Sequence, residues 1–268
     1  MTEPSRARWS AHARFAAETA LSVGNAIVVE NVGIVTQKKG RANFATAADH
    51  AAEQAIITAI RKHDPGAPIL AEESDAIDVG NAERLWVVDP LDGTLNFSRG
   101  LPFYCVAIGY VEDGKVRAGA VHAPRSRETF VASEGAGATL NGSPIRVSTT
   151  KTAGEAFAVT SLGFGSVTKR GSRFVALNAT CARLRILGAA ALEIAYLASG
   201  RIDLFVHEFL SPWDIAGAQL IAREAGAAVV SLKTGGDAAW NEQAVIIGNP
   251  ALVRDALTKM PLLKKSGR

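Results

Sequence analysis

The sequence predicts an α/β protein of the layered α+β sandwich type, and three observations predict it. Between Tyr104 and Val147, short alternating apolar runs are separated by Asp113–Gly114 and Asn141–Gly142, both strong hairpin turn signals. Two helical patterns precede that meander, which fits helices layered on an antiparallel sheet. From Ala156 to Lys259, strand-like and helix-like stretches alternate, the pattern of an α/β layer. The 268 residues are 48% hydrophobic and 21% charged, enough apolar material for one large core or two smaller units sharing a cleft. The polar stretch Thr149–Gly154 reads as a linker, which sets the expected units at residues 1–148 and 149–268.

Taken in order, Pro4 to about Glu30 is Ala-rich with Phe15, Leu21 and Ile27 at helical spacing. Gly33–Arg41 is short, polar and basic, which is loop chemistry; Lys38 and Lys39 there are either neighbours of an anionic site or solvated lysines. Thr46 precedes a helix over Ala47–His63, stopped by Asp64–Pro65–Gly66. Asp49 falls in its first turn, where a carboxylate suits the positive end of the helix dipole. Ala67–Ala71 reads as a strand running into Glu72–Glu73; two acids after an apolar run invite a cation, although such a pair on a loop is ordinarily solvated. Strands are expected at Val106–Val111, Val116–His122, Thr129–Ala132, Ala138–Leu140 and Ile145–Val147. Beyond the linker, strands at Ala156–Thr160, Leu184–Leu187, Ile202–Val206, Ala228–Ser231 and Ala244–Ile247 alternate with helices at Lys169–Thr180, Ala189–Ser199, Pro212–Ala225 and Pro250–Lys259.

Composition narrows the function. A net charge of +3 is too small to make nucleic acid the expected main partner. There is no signal-peptide pattern and no apolar run long enough for a bilayer, so a cytoplasmic protein without a membrane partner is expected. Cys105 and Cys181 sit far apart in apolar surroundings, which reads as buried, reduced thiols.

The chain is organised around Trp86–Phe97. Trp86, Val87 and Val88 form the end of a buried-strand pattern that breaks at Asp89–Pro90 and adds a second carboxylate at Asp92. Two carboxylates at the end of an apolar strand are costly unless a cation compensates, and no Lys or Arg lies inside the stretch. A hard, oxygen-loving cation such as Mg²⁺ is one answer. An Asx-type turn, with both acids merely capping a loop and a helix, is the other. Gly93 permits close approach of backbone to a ligand, Thr94 adds a hydroxyl, and free N–H groups after them suit a phosphate. A second acid at an element start, Asp214, follows Pro212–Trp213 in the first turn of a helix, where it too serves the dipole if taken alone.

Trp86–Asn96 resembles the W-[IV]-[IV]-D-P-[IL]-D-G-T-x-N signature of the inositol monophosphatase family, and Trp213–Ala218 its W-D-x-A-[GA] motif. The resemblance spans nearly the whole chain, from Asn43–Asp49 to Ala225–Gly226. It implies a Mg²⁺-dependent, lithium-sensitive phosphatase with alternating α-β-α-β-α layers, two or three Mg²⁺ ions and a homodimer. It also implies residue roles. Glu72, Asp89 and the Leu91 carbonyl hold the first metal, Asp89 bridges to the second, and Asp92 and Asp214 complete that one. Gly93 and Thr94 bind phosphate through backbone N–H groups. Glu72 also holds a third ion through water and counts among the catalytic residues with Thr94 and Asp49, which position or deprotonate the attacking water, and Lys38 sits in a mobile loop over the site.

The chemistry suits that set. Phosphate monoesters hydrolyse extremely slowly unaided, and metal-activated water needs no protein nucleophile, in keeping with the lack of a compelling Ser-His-Asp or Cys-His arrangement. The departures concern the substrate. Ala71 stands where the family has Gly before the Glu pair. His207 stands where inositol-specific members carry a Glu for substrate hydroxyls, with Glu208 beside it. Ala190 falls where a backbone N–H meets substrate, Asp92 faces the same pocket, and Phe164 stands near a small polar position. The expected substrate is a small polyol phosphate, inositol 1-phosphate first. Fructose 1,6-bisphosphate, histidinol phosphate and 3′-phosphoadenosine nucleotides are the alternatives. Because some bacterial relatives bind the transcription machinery, a regulatory interaction protein is the alternative from another class.

Overall fold

The structure is a computed structural model and describes residues 3–28, 35–38, 44–74, 82–161 and 167–260. Five layers follow from how each strand distributes its apolar side chains. In β4 (Arg84–Asp92), Leu85 and Val87 join one core and Trp86 and Val88 another, because alternate side chains leave opposite faces. The Trp86 face packs on α1 (Glu3–Val23) and α2 (Ala47–His63) through Trp9, Ala16, Ile56 and Ile60. The Val87 face packs on α5 (Ala190–Ala198) and α6 (Pro212–Glu224). Beneath those helices lies a second sheet. Its other face, through Leu204, Val206 and Ile246, meets Leu177 of α4 (Val167–Thr180) and Leu252 and Val253 of α7 (Pro250–Lys259). The order is α-β-α-β-α.

The first sheet has seven strands in sequence order: β3 (Ile69–Ala71), β4, β5 (Cys105–Glu112), β6 (Lys115–Ala123), β7 (Glu128–Ser133), β8 (Ala138–Leu140) and β9 (Ser143–Pro144). Only β3 and β4 pair in parallel. The predicted turns are real: Asp113 and Gly114, and Asn141 and Gly142, all take positive φ. The second sheet joins β10 (Phe157–Thr160), β11 (Arg183–Arg185), β12 (Leu204–His207), β13 (Ala228–Ser231) and β14 (Val245–Gly248) in the order β11-β10-β12-β14-β13. Cys105 and Cys181 are buried and unbridged.

Three expectations need correction. The described part of Gly33–Arg41 is strand β1 (Val35–Lys38), paired antiparallel with β2 (Phe44–Thr46), not loop. Lys38 ends that strand, and Lys39 and Phe164 lie outside the described residues. Ile145–Val147 is not a strand. The chain leaves the sheet after β9, and the Val147 N–H donates to the Ala225 carbonyl at the end of α6 (3.1 Å). The first helix stops at Val23 and continues as a π-helical turn, Gly24–Val28.

Candidate metal centre

Parallel pairing of β3 with β4 sets Ala71 opposite Val88, so Glu72, just past the end of β3, follows beside Asp89, which is still paired with Ala107 of β5. The β4–β5 register then slips between Asp89 and Asp92, around Pro90, which has no N–H to give a ladder. That irregularity turns both acids to one place. Asp89 is 1% exposed and its Oδ1 accepts the Leu91 N–H at 3.0 Å. Asp92 is held from α5, accepting from Ala190 N (3.2 Å) and Ala191 N (2.7 Å). Gly93 follows at φ +92°; a Cβ there would sit 3.0 Å from the Phe103 carbonyl oxygen, so only glycine fits the turn. Asp214, in the first turn of α6, accepts from Ser211 N at 2.7 Å.

Asp89, Asp92 and Asp214 each bring a carboxylate oxygen within 4.8 Å of the other two. Among the described residues, no ion pair with Lys or Arg reaches these three or Glu72. Their proton affinities reflect that crowding. Burial first, then the charges of Asp214 and Glu73, push Glu72 up to about 8. Burial and Asp214 push Asp92 to about 8, and burial raises Asp214 to about 6. Asp89 is raised well above its ordinary value by burial, Glu72 and Asp92. Buried and half-buried acids gathered with no Lys or Arg ion-paired to them fit a site for a divalent cation with oxygen ligands. Glu72 is outside the 4.8 Å group but is the leading charge acting on Asp89.

Around this cluster, Asp49 is fully buried, and the Thr94 hydroxyl lies 3.0 Å from its Oδ1 and 3.0 Å from the Leu91 carbonyl. Asp49 therefore does more than face the helix dipole. The residues expected on the substrate side are engaged within the protein. Ala190 N–H is given to Asp92. His207, 6% exposed, sets Nε2 3.0 Å from Glu193 Oε2 and stacks on Phe205. Glu208 is ion-paired with Arg173 of α4. Phe209 beside it takes φ +70° and stays exposed, an uncommon conformation for an aromatic residue.

Sequence reasoning passed over Glu53, Glu193 and Arg173. Glu53 lies four residues after Asp49, the spacing that puts both on one face of α2, and Glu193 is the one charged residue of α5; both were usable signals. Arg173 gave no such signal.

A family model described as Inositol monophosphatase family matches residues 8–261. A Thermotoga maritima protein named fructose-1,6-bisphosphatase/inositol-1-monophosphatase is 38% identical over 241 residues, covering 89% of this chain and 91% of that one. The Nus factor SuhB of Escherichia coli K12 is 37% identical over 231 residues, covering 85% and 86%. The solved structure of a Thermotoga maritima IMPase superposes with a TM-score of 0.83 at 35% identity, over 93% of this chain and 96% of that chain. With the signature residues gathered at one centre and the likeness running from end to end, the chain belongs to the inositol monophosphatase family.

Proposed function

We propose that this protein is a Mg²⁺-dependent phosphomonoesterase acting on a small polyol phosphate, inositol 1-phosphate first. The observation that carries the reading is the trio Asp89, Asp92 and Asp214, the first two buried and the third half-buried, crowded together with no Lys or Arg ion-paired to them among the described residues. In this reading Glu72, Asp89, the Leu91 carbonyl, Asp92 and Asp214 would hold two or three Mg²⁺ ions. When bound, Mg²⁺ neutralises phosphate charge and makes water a usable nucleophile near neutral pH. The chain's own groups do the rest. The Thr94 hydroxyl, fixed by Asp49, orients the water and takes up its proton through that carboxylate. Backbone N–H groups of Gly93 and Thr94 receive phosphate oxygens, His207, Glu208 and Ala190 border the leaving group, and Lys38 covers the site. The same reading makes the protein a cytoplasmic homodimer inhibited by Li⁺.

The test is phosphate release with Mg²⁺ from inositol 1-phosphate, fructose 1,6-bisphosphate, histidinol phosphate and a 3′-phosphoadenosine nucleotide, with Asp92→Asn beside the wild type. Preference for inositol 1-phosphate, lost in the variant, supports the reading, and preference for another ester keeps the mechanism and changes the substrate. No release from any of them by folded, Mg²⁺-bound protein sinks it. A second reading, a regulatory protein that binds RNA or polymerase components, draws on the likeness to a protein named a Nus factor. That likeness removes the ground for setting nucleic acid aside as a partner. Pull-down with RNA and polymerase components separates the two readings.

A further inference from the structure

We infer that Glu53 is a positioning residue for the metal centre, fixing the Glu72–Ser74 turn and, through it, the carboxylate of Glu72. The inference rests on the reading of Glu72 as a metal ligand. Glu53 is 2% exposed, on the buried face of α2 that also carries Ala48, Asp49, Ala52, Ile56, Ile57 and Ile60. Its Oε2 accepts the Glu73 N–H at 2.7 Å and its Oε1 accepts the Ser74 hydroxyl at 2.6 Å. Among the described residues, no Lys or Arg forms an ion pair with it. A carboxylate taken out of water needs strong compensation, and short charge-assisted bonds to both oxygens supply it.

What those bonds hold is specific. Glu72 is the only residue between Ala71, locked opposite Val88 in the sheet, and Glu73, whose N–H is clamped by Glu53. Glu72 is therefore pinned on both flanks, and its side chain leaves the backbone from a fixed point. One helical turn earlier on the same face, Asp49 meets Thr94. A single helix thus presents one buried carboxylate to each half of the centre, Asp49 to the Thr94 side and Glu53 to the Glu72 side. Gln at position 53 would break this arrangement selectively, since its amide nitrogen cannot accept from an N–H or a hydroxyl, and one of the two bonds is lost.

The experiment measures Mg²⁺ binding to the full chain by titration calorimetry and Mn²⁺ binding by electron paramagnetic resonance, in wild type, Glu53→Gln, Ser74→Ala, Glu72→Gln and the Glu53→Gln/Glu72→Gln double variant. Orienting partners of metal ligands are worth about 10–100-fold in affinity, so Glu53→Gln should weaken Mg²⁺ about tenfold and Ser74→Ala by a smaller factor. Because Glu53 acts through Glu72, adding Glu53→Gln to Glu72→Gln should cost no more than about twofold further. A folded Glu53→Gln that binds Mg²⁺ like wild type overturns the inference. So does an equal loss in both backgrounds, which would mean general loosening. If Glu53→Gln does not fold, unchanged affinity in folded Ser74→Ala overturns it. Wild type that binds neither ion overturns the metal-ligand reading and this inference with it, whereas normal wild-type binding left untouched by Glu53→Gln removes Glu53 alone.

Discussion

Replacing Gly217 with Ala tests how closely α6 must approach the first sheet for Asp214 to join its partners. An ideal Cβ on Gly217 lies 2.7 Å from the Ile108 carbonyl oxygen and 3.0 Å from its carbon. The facing positions are glycines too: a Cβ on Gly109 would lie 2.9 Å from Gly217 N, and one on Gly119 2.4 Å from Gly217 O. Every obstacle to a Cβ on Gly217 is backbone, so no side-chain rotation relieves it. Opening 2.7 Å to an ordinary 3.4 Å contact lifts α6 by about 0.7 Å from β5. Overpacking of this kind costs about 1–3 kcal/mol, which lowers Tm by about 2–5 °C in a chain of this size. Gly217 follows Asp214 by less than one turn, so the carboxylate retreats with the helix. Metal–ligand distances tolerate only about 0.2 Å, and Mg²⁺ affinity should fall about tenfold or more. Differential scanning fluorimetry in EDTA gives the first quantity and Mg²⁺ calorimetry the second. A variant with wild-type Tm refutes the packing argument, and a lower Tm with intact Mg²⁺ affinity refutes the link from helix seating to Asp214.

The folded, metal-free protein keeps Glu72 and Asp92 protonated up to about pH 8, above their ordinary values, so its stability falls as pH rises from about 4 towards 8. Asp92→Asn removes a charge but also one acceptor for the Ala190 and Ala191 N–H groups, so its EDTA-state Tm should gain on that of wild type as pH rises from about 4 towards 8, and stabilisation by Mg²⁺ should be abolished; a Tm difference that does not change with pH contradicts the repulsion argument. His122 is fully buried, with Nδ1 2.9 Å from the Thr129 hydroxyl, and burial lowers its pKa to about 4. The stability tied to its neutral form is complete above about pH 6.5 and shrinks by about 3 kcal/mol as pH falls towards 4, and an imidazole NMR signal titrating near 6.5 would contradict this. Thr94→Val removes the hydroxyl bonded to Asp49 and should lower kcat by about 100-fold with little change in KM, while Thr94→Ser keeps most activity; an active Val variant removes Thr94 from the mechanism. His207→Glu alone sets a second carboxylate against Glu193 and should lower Tm, and Glu193→Gln added to it should restore Tm, measured by the same fluorimetry.

Some of this was legible in the residues because its causes are local. The helix Ala47–His63 has the predicted bounds, since Asp64–Pro65–Gly66 stops it, and Pro250–Lys259 does too, with Asn249 accepting from Ala251 N at its start. Asp89 and Asp92 stood out because carboxylates ending an apolar run need a reason, and Asp214 stood out through the W-D motif that Trp213–Ala218 resembles. What was not legible depends on distant partners. Val35–Lys38 is a strand because β2 completes its hydrogen bonds, and Ile145–Val147 is none because Val147 bonds Ala225 instead. The glycines at 109, 119 and 217 lie in a strand, the next strand and a helix, and only the packed molecule reveals that they meet. Glu53 and Glu193 sat in apolar helices where spacing marks a buried acid but not what faces it.

Glu193 joins the residues proposed for metal binding to those proposed for substrate preference. Its Oε1 accepts the Leu187 and Gly188 N–H groups at 3.1 and 3.0 Å, and its Oε2 faces His207. The backbone it holds leads directly to Ala190 and Ala191, whose N–H groups grip Asp92. Asn96 fastens the same segment from the other side, donating to the Leu187 carbonyl at 2.7 Å. A substitution at His207 intended to change the leaving group therefore also acts on the loop that orients Asp92. A carboxylate placed at position 207 would meet that of Glu193, whose Oε2 lies 3.0 Å from His207 Nε2. A carboxylate at position 207 therefore calls for a paired change at 193, with the hydrogen bonds from Leu187 and Gly188 kept by whatever replaces Glu193.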